Sequence, residues 1–261
     1  MKIAQISDLH IAAKGKTLGR APMAENLARV VAHINTQKPA LVLVSGDITQ
    51  SATLPEARRA AAILAGLEMP YYLTPGNHDD RAVLWQVFGG GALPAREAAH
   101  SSYVVSTPQY KIIALDSTDP DARNGRICAS RAAWLEAALG TAPRPTLIFM
   151  HHPPIKCAVE ETDSPPLIGA GLLAEAVARH PEVEKIMCGH IHLMAHSWLA
   201  GRPVCSAPSI GMRLAWSPNG LTTSRYLLSP PAYLWHMHNS DGVLVSHEFT
   251  LDNPDGPFGF T

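Results

Sequence analysis

Five short apolar segments of this chain each end abruptly in a polar side chain. The clearest is Leu41–Ser45, a run rich in β-branched residues that is followed at once by Gly46 and Asp47. Such a run is typical of a strand buried in a parallel sheet, and ligands bind at the carboxyl ends of these strands. The other four segments end at Asp8-Leu9-His10, Gly76-Asn77-His78-Asp79, His151-His152 and Gly189-His190-Ile191-His192. We therefore expect all five ends to meet at one place.

Helical patterns separate the first three of these segments. Residues 24–35 place Leu27, Val30, Val31 and Ile34 on one face of a helix, and Thr53 with Glu56 predicts a capping box. The resulting order of strand, helix, strand, helix, strand indicates a largely parallel sheet covered by helices. From Trp198 onward we find only strand patterns, which predict a second, mostly antiparallel sheet. We expect one domain over residues 1–261, in which residues 198–261 form a mostly β part that completes the second sheet and offers oligomer contacts.

Charge and composition disfavour several partners. The formal net charge is −1, so no basic surface for nucleic acid or an anionic membrane is expected. No apolar run approaches the roughly 20 residues of a membrane span, and Asp8 precedes any signal-peptide core. The four cysteines form no C-x-x-C pair and are interpreted as reduced thiols. We expect a cytoplasmic protein.

The polar strand ends carry residue types that bind metal ions together. Asp8 and His10 are two positions apart, as are His190 and His192, and side chains with this spacing share one face of a strand. Carboxylate, imidazole and amide ligands without thiolate suit Mn, Fe, Zn or Co. Seven ligands exceed the need of one ion. Two ions about 3.5–4 Å apart with one shared carboxylate would use the whole set.

In this order the motifs D-x-H, G-D, G-N-H-D, a strand-end histidine and G-H-x-H resemble those of the calcineurin-like metallophosphoesterases. The resemblance covers nearly all of residues 1–192. Within that superfamily the sequence is similar to the bacterial glycerophosphodiesterase and class III cyclic-nucleotide phosphodiesterase group. The segments that carry this similarity are Gln5-Ile6-Ser7-Asp8-Leu9-His10, Pro75-Gly76-Asn77-His78-Asp79-Asp80, Phe149-Met150-His151-His152-Pro153-Pro154 and Cys188-Gly189-His190.

The resemblance implies a fold and a set of metal ligands. The fold is an α/β four-layer αββα sandwich, with two mixed β-sheets flanked by helices. The first implied metal ion is held by Asp8, His10, Asp47 and His192. The second is held by Asp47, Asn77, His151 and His190, so that Asp47 bridges the two ions. A hydroxide between the metals is the implied nucleophile.

Further residues are assigned to the substrate. His78 is the expected catalytic group, which stabilises or protonates the leaving alkoxide, and Asn77 also faces the substrate. Asp79 or Asp80 is expected to orient His78 or a ligand. The group places another histidine after G-H-x-H, where this chain has Met212 and Arg213 instead, so Arg213 is predicted to contact the phosphate. We expect the loops 11–22 and 157–166, or a partner chain, to cap the site.

The predicted activity is metal-dependent hydrolysis of small phosphodiesters, with glycerophosphodiesters and 3′,5′-cyclic nucleotides as the alternative substrate classes. A phosphomonoesterase is less favoured, because a dianion requires more fixed positive charge than the sequence places there. A nuclease is disfavoured by the absence of a basic face. A non-catalytic scaffold is the alternative from another class, although such relatives typically lose ligands that this chain retains. Self-association into a homo-oligomer is expected.

Overall fold

The strands and helices follow the apolar segments closely. The computed structural model describes residues 1–16, 19–97, 99–218 and 225–252. In chain order the elements are β1 (Lys2–Ile6), α1 (Met23–Gln37), β2 (Leu41–Ser45), α2 (Leu54–Leu64), β3 (Tyr71–Thr74), α3 (Arg81–Phe88), β4 (Tyr103–Ser106), β5 (Lys111–Ala114), α4 (Ala129–Gly140), β6 (Thr146–Phe149), α5 (Glu160–Asp163), α6 (Ala170–Arg179), β7 (Val183–Cys188), β8 (Ala195–Leu199), β9 (Arg202–Ser206), β10 (Met212–Leu214), β11 (Tyr226–Leu228), β12 (Ala232–His238) and β13 (Leu244–Thr250).

Two mixed sheets form the centre of the fold. One has the order β13-β12-β1-β2-β3, in which β1, β2 and β3 are parallel. The other has the order β4-β5-β6-β7-β9-β8, in which β5, β6, β7 and β9 are parallel. The strands β10 and β11 form a separate antiparallel pair. Every apolar segment predicted to end in a ligand therefore lies in the parallel part of one of the two sheets.

Helices cover the outer faces of both sheets. Buried apolar residues of α1 and α2 pack in one core with β1, β2 and β3, and this core continues between the two sheets to Phe149 and Met187. A second core joins α4 and α6 to the outer face of β5, β6 and β7. The predicted αββα sandwich is thus confirmed. The predicted capping box of α2 also forms, because the Glu56 carboxylate accepts a hydrogen bond from the Thr53 amide at 3.2 Å.

The sequence predicts that residues 198–261 complete the second sheet, and in the structure the described strands of this segment are distributed over different sheets. The strands β8 and β9 extend the second sheet, but β12 and β13 join the first, where β12 runs antiparallel to β1. Because β1 is buried, its outer edge needs a hydrogen-bonding partner, and β12 provides it. The organisation as a single domain stays a prediction. Among the described residues, no helix combines the length and the apolar character needed to cross a bilayer.

Candidate metal centre

The structure brings all seven predicted metal ligands together. Four of them follow β1, β2 and β3 of the five-stranded sheet, and three follow β6 and β7 of the six-stranded sheet. The two sheets face each other, so their carboxyl ends converge from opposite sides. The first sheet supplies Asp8, His10, Asp47 and Asn77, and the second supplies His151, His190 and His192. The candidate site therefore depends on how the two sheets are held against each other.

One cluster contains the four ligands predicted for the first ion. The ligand atoms of Asp8, His10, Asp47 and His192 all lie within 4.8 Å of one another. His192 Nε2 is 3.5 Å from Asp8 Oδ1, and His10 Nε2 is 3.5 Å from Asp47 Oδ2. Both carboxylates are almost fully buried. Two carboxylates and two imidazoles at this spacing form a donor set for one divalent ion.

A second cluster lies on the other side of Asp47. His151 Nε2 is 3.3 Å from Asp47 Oδ2 and 3.1 Å from the amide oxygen of Asn77. The rings of His151 and His190 pack with their centroids 5.0 Å apart. The same oxygen of Asp47 is thus close to a histidine of each cluster, which is the position required of a shared carboxylate between two ions.

The backbone of the ligand turns is unusual. Five ligands have a positive φ, a conformation that side-chain-bearing residues seldom adopt and that costs on the order of 1 kcal/mol or more each. These are Asp8, His10, Asp47, His190 and His192, with φ between 43° and 73°. The motif glycines Gly46 and Gly76 are needed for space, and Gly46 also has a positive φ of 92°. A Cβ on Gly46 would overlap the His151 ring, and one on Gly76 would overlap the Asp47 carboxylate.

Hydrogen bonds fix the tautomers of the two histidines in the first cluster. These tautomers determine whether the ring nitrogens that face each other can bind a cation. His192 Nδ1 lies 3.2 Å from the Met212 carbonyl oxygen, and His10 Nδ1 lies 3.0 Å from Gln50 Oε1. Carbonyl oxygens only accept, so both Nδ1 atoms carry the proton and both Nε2 atoms present lone pairs. These Nε2 atoms are 3.1 Å apart. Two lone pairs at this distance repel each other, and a cation bound by both removes the repulsion.

The second cluster is also a set of acceptors. His151 Nδ1 donates to the Ser45 carbonyl oxygen at 2.8 Å, so Nε2 is the atom that faces the oxygens of Asp47 and Asn77, and in the neutral ring it presents a lone pair there. His190 Nε2 donates to Asn124 Oδ1 at 3.0 Å, which leaves Nδ1 of the neutral ring as the atom able to bind an ion. The donor atoms of both clusters therefore fit two metal ions.

The electrostatics of the site also favour added positive charge. Burial opposes the charged form of His151, yet the Asp47 carboxylate raises its pKa to about 9. Burial likewise opposes ionisation of Asp47, but His151 and His10 hold the pKa of Asp47 well below its usual range. Burial lowers the pKa of His10 to about 3, so that ring is neutral. A proton on His151 and a cation beside Asp47 would each supply the positive charge that stabilises the buried Asp47 carboxylate.

His152 lies close enough to His151 and His190 to be considered as a ligand in place of Asn77. Its hydrogen bonds argue against this role. His152 Nε2 donates to the Arg123 carbonyl oxygen at 3.0 Å, and its Nδ1 contacts the Ser117 hydroxyl at 2.8 Å. Since both ring nitrogens are engaged, His152 has no lone pair left for a metal ion.

His78, the predicted catalytic residue, lies at the rim of the two clusters. Its Nδ1 donates to the Gln50 carbonyl oxygen at 2.9 Å, and its ring centroid is 4.7 Å from that of His10. The backbone N–H of His78 donates to Asp47 Oδ1 at 2.8 Å. Gln50 therefore orients two histidines, a role that the sequence analysis did not predict. The side chain of Gln50 orients His10, and the backbone carbonyl of Gln50 orients His78.

The two carboxylates expected to orient neighbouring groups have different roles. Asp79 accepts hydrogen bonds from the amides of Ile48, Thr49 and Gly76, so it fixes the turn that carries Asp47 and does not contact the His78 ring. Burial, together with the charge of Asp47, raises the pKa of Asp79 to about 6. Asp80 is the N-cap of α3 and accepts from the Val83 amide at 2.8 Å.

A cavity of about 210 Å³ opens beside His78 and the histidines of both clusters. Glu161 and Thr162 line it, as expected for the loop 157–166, and Tyr226 joins its wall to the loop 11–22 by accepting from the Arg20 amide at 3.1 Å. Within the described part of that loop no residue lines the cavity directly; Thr17 and Leu18 lie outside the described residues.

The structure does not bring Arg213 to this cavity. Its guanidinium pairs with Glu248 of β13. The contact of Arg213 with the phosphate stays a prediction, and this ion pair argues against it. Two other arginines, Arg123 and Arg225, line the cavity. Neither belongs to a recognisable motif, so sequence reasoning had no signal by which to find them. Their charge also weakens the argument that a monoester dianion would find too little positive charge here.

Asn124 is a further residue that the sequence patterns did not indicate. It is nearly buried, and its Nδ2 donates to the carbonyl oxygens of Glu161 at 3.0 Å and Pro165 at 2.6 Å. Its Oδ1 accepts from His190 Nε2. One amide thus orients a predicted metal ligand and also holds the loop 157–166 against the cavity. Groups that orient a metal-binding histidine in this way affect metal affinity strongly.

The two roles of Asn124 can be separated by substitution. Asn124→Ala removes both, and we expect the affinity of the second cluster for Mn²⁺ to fall about 10- to 100-fold. Asn124→Asp keeps an acceptor for His190 Nε2 but loses both donors, so metal affinity should be preserved while KM rises. Calorimetric titration with Mn²⁺ and steady-state kinetics would measure both effects. Equal losses of metal affinity in the two variants would contradict the assignment to His190.

Comparisons with known proteins show which family this chain is similar to. The model of the family described as calcineurin-like phosphoesterase matches residues 1–194. The chain is 30% identical over 265 residues to a probable glycerophosphodiester phosphodiesterase, GpdQ, of Arcobacter nitrofigilis, with 100% of this chain and 97% of the relative covered. It is 29% identical over 256 residues to the 3′,5′-cyclic adenosine monophosphate phosphodiesterase CpdA of Escherichia coli K12, with 96% and 90% covered.

A solved structure supports the fold. A dimetal phosphatase from Danio rerio superimposes with a TM-score of 0.67 and covers 96% of this chain and 98% of its own, at 16% identity. At this identity the likeness bears on the fold alone. The matched family region ends just after His192 and thus contains all seven predicted ligands.

Proposed function

Because the chain belongs to the calcineurin-like phosphoesterase family, we propose that it is a metal-dependent phosphodiesterase that hydrolyses small phosphodiesters. The observation that carries this proposal is the position of the Asp47 carboxylate, whose Oδ2 lies 3.5 Å from His10 Nε2 and 3.3 Å from His151 Nε2. A carboxylate shared by two donor sets is the arrangement needed for two ions that act on one phosphoryl group.

The residues proposed to hold the ions are the seven that the sequence predicted. Asp8, His10, Asp47 and His192 would hold one ion, and Asp47, Asn77, His151 and His190 the other. Ions bound in such sites supply Lewis acidity toward phosphoryl oxygens and an activated water near neutral pH. The protein's own groups fix the tautomers of the ligands and exclude bulk water from the buried carboxylates.

His78 is proposed as the group that assists departure of the alcohol. Since its Nδ1 donates to the Gln50 carbonyl oxygen, its Nε2 is the ring nitrogen available to interact with the leaving oxygen, and the ring borders the cavity. In its imidazolium form His78 also carries a proton on Nε2, and transfer of this proton to the leaving oxygen leaves the ring neutral and prevents the build-up of negative charge on that oxygen. Arg123 and Arg225 provide positive charge along the same cavity for the phosphate or a substituent.

Two substrate classes remain, and different features favour each. The cavity of about 210 Å³ suits a compact diester such as a glycerophosphodiester, because pockets for larger organic ligands are typically about 300–1,000 Å³. The alternative is a 3′,5′-cyclic nucleotide, favoured by the apolar side chains of Met212 and Leu214 and by the Tyr226 ring, which offer contact to a base. The two relatives described above bear names of these two kinds.

The test compares kcat/KM for glycerophosphoethanolamine, cyclic AMP and p-nitrophenyl phosphate on protein reconstituted with Mn²⁺, with Asn77→Ala as the matched control. We expect about two ions per chain and a preference for one of the diesters over the monoester of at least about tenfold. A preference for the glycerol diester would indicate head-group salvage, and one for cyclic AMP would indicate signalling. A monoester preference would overturn the proposal, and failure to bind metal would support a scaffold.

Several finer points stay predictions. The metal pair is expected to come from Mn, Fe, Zn and Co, and metal analysis of purified protein would identify it. A cytoplasmic location is expected and can be tested by fractionation.

Self-association is also expected. Exposed Trp216, Leu227 and Leu228 supply apolar surface for it, and a single monomeric species in sedimentation velocity would contradict it.

A further inference from the structure

A buried glutamine connects the two sheets directly beneath the candidate metal centre. Gln5 lies on β1 and is fully buried. Its Nε2 donates to Ser45 Oγ at 2.9 Å, on the neighbouring strand β2. The same nitrogen donates to the carbonyl oxygen of Cys188 at 2.8 Å, at the end of β7 in the opposite sheet. One amide group thus binds both sheets at the ends that carry the ligands.

The direction of each hydrogen bond around Gln5 is determined. The Cys188 carbonyl oxygen only accepts, so the atom facing it must be Nε2, and the Gln5 oxygen therefore faces His236. His236 Nε2 donates to this oxygen at 3.0 Å, which leaves His236 Nδ1 to accept from the Ser246 hydroxyl at 2.7 Å. Ser246 in turn accepts from Lys185 Nζ at 2.6 Å. The amide of Gln5 is held in a single orientation from both ends.

The two acceptors of Gln5 stand next to predicted metal ligands. Ser45 precedes Asp47 by two residues, and its carbonyl oxygen accepts from His151 Nδ1 at 2.8 Å. Cys188 precedes His190 by two residues. The second cluster draws Asp47 from one sheet and His151 and His190 from the other. The separation of β2 and β7 at this point therefore sets the distance between those ligands.

We propose that Gln5 is a positioning residue for the metal centre, which sets the spacing of the two sheets where the second cluster forms across them. The inference rests on the proposed metal-dependent function. Metal sites tolerate errors of only about 0.2 Å in ligand distances, so small shifts between the sheets reduce affinity. Apolar packing alone is non-directional and fixes this spacing less sharply than two hydrogen bonds from a rigid amide.

The test is calorimetric titration of metal-free protein with Mn²⁺, combined with thermal unfolding of the metal-free form. Gln5→Met keeps a similar volume but removes all three hydrogen bonds. We expect its affinity at the weaker of the two sites to fall about 10-fold or more. Ser246→Ala is the matched control, because it breaks the same buried network away from the ligand strands. It should lower the unfolding temperature similarly but change Mn²⁺ affinity less than about twofold.

Ser45→Ala is a milder variant that keeps the inference testable if Gln5→Met does not fold. It removes one acceptor of Gln5 but leaves the backbone carbonyl that orients His151, and a several-fold loss of affinity at the same site is expected. Equal affinities in Gln5→Met and wild type, or equal losses in Gln5→Met and Ser246→Ala, would overturn the role of Gln5. If wild-type protein binds no Mn²⁺, the proposed function fails instead.

Discussion

Replacement of Asp47 by asparagine is expected to reduce kcat/KM by about 10³-fold or more, because the variant loses the charge shared by both clusters. Asparagine nearly matches the shape of aspartate and tolerates the positive φ of 51° at this position. It can still accept the hydrogen bond from the His78 amide. The change therefore removes the bridging charge with little disturbance of the turn.

Two measurements separate this effect from loss of structure. Metal analysis should show fewer than two ions per chain, while the metal-free variant should unfold at a temperature close to that of metal-free wild type. Asp116→Asn is the matched control, since Asp116 is a fully buried carboxylate that is paired with Arg81 and not with a predicted metal ligand. It should lose stability and keep its metal. Retention of two ions and near-normal activity in Asp47→Asn would contradict the bridging role.

The parts of the fold that local patterns determine were predictable. The strand β2 and the second half of β7 are short apolar runs followed by glycine. Each strand lies in the parallel part of its own sheet, and the polar residues after it reach the site because parallel strands point the same way. The fold class followed from the same motifs. Pairing between distant segments was not predictable: nothing in the hairpin of β12 and β13 indicates that it joins β1, more than 200 positions away in the sequence.

The same limit applies within the candidate site. The seven ligands occur in compact motifs, whereas the groups that orient them come from far along the chain. Gln5 and Cys188 are 183 residues apart, and Asn124 and His190 are 66 apart. Such contacts depend on the completed sandwich. The prediction for Arg213 rested on its position after the G-H-x-H motif. In the structure its guanidinium instead forms an ion pair with Glu248 of β13.

Substitution of His78 by alanine is expected to have an effect that depends on the leaving group. For glycerophosphoethanolamine the departing alkoxide needs a proton, so kcat should fall about 10²- to 10⁴-fold. For bis(p-nitrophenyl) phosphate the departing phenolate is stable without protonation, so the loss should be less than about tenfold. Since His78 is not among the predicted ligands, the variant should bind two Mn²⁺ ions as wild type does.

The ratio of these two losses identifies what His78 does. A proton donor helps only where the leaving oxygen is basic, whereas a group that merely positions the phosphate would slow both substrates equally. Loss of metal in His78→Ala would instead mean that its contact with the Gln50 carbonyl supports the turn beside His10. His78→Asn is the conservative control: it keeps a polar side chain but has no titratable proton, and if proton donation is the role it should be as slow as His78→Ala on the glycerol diester.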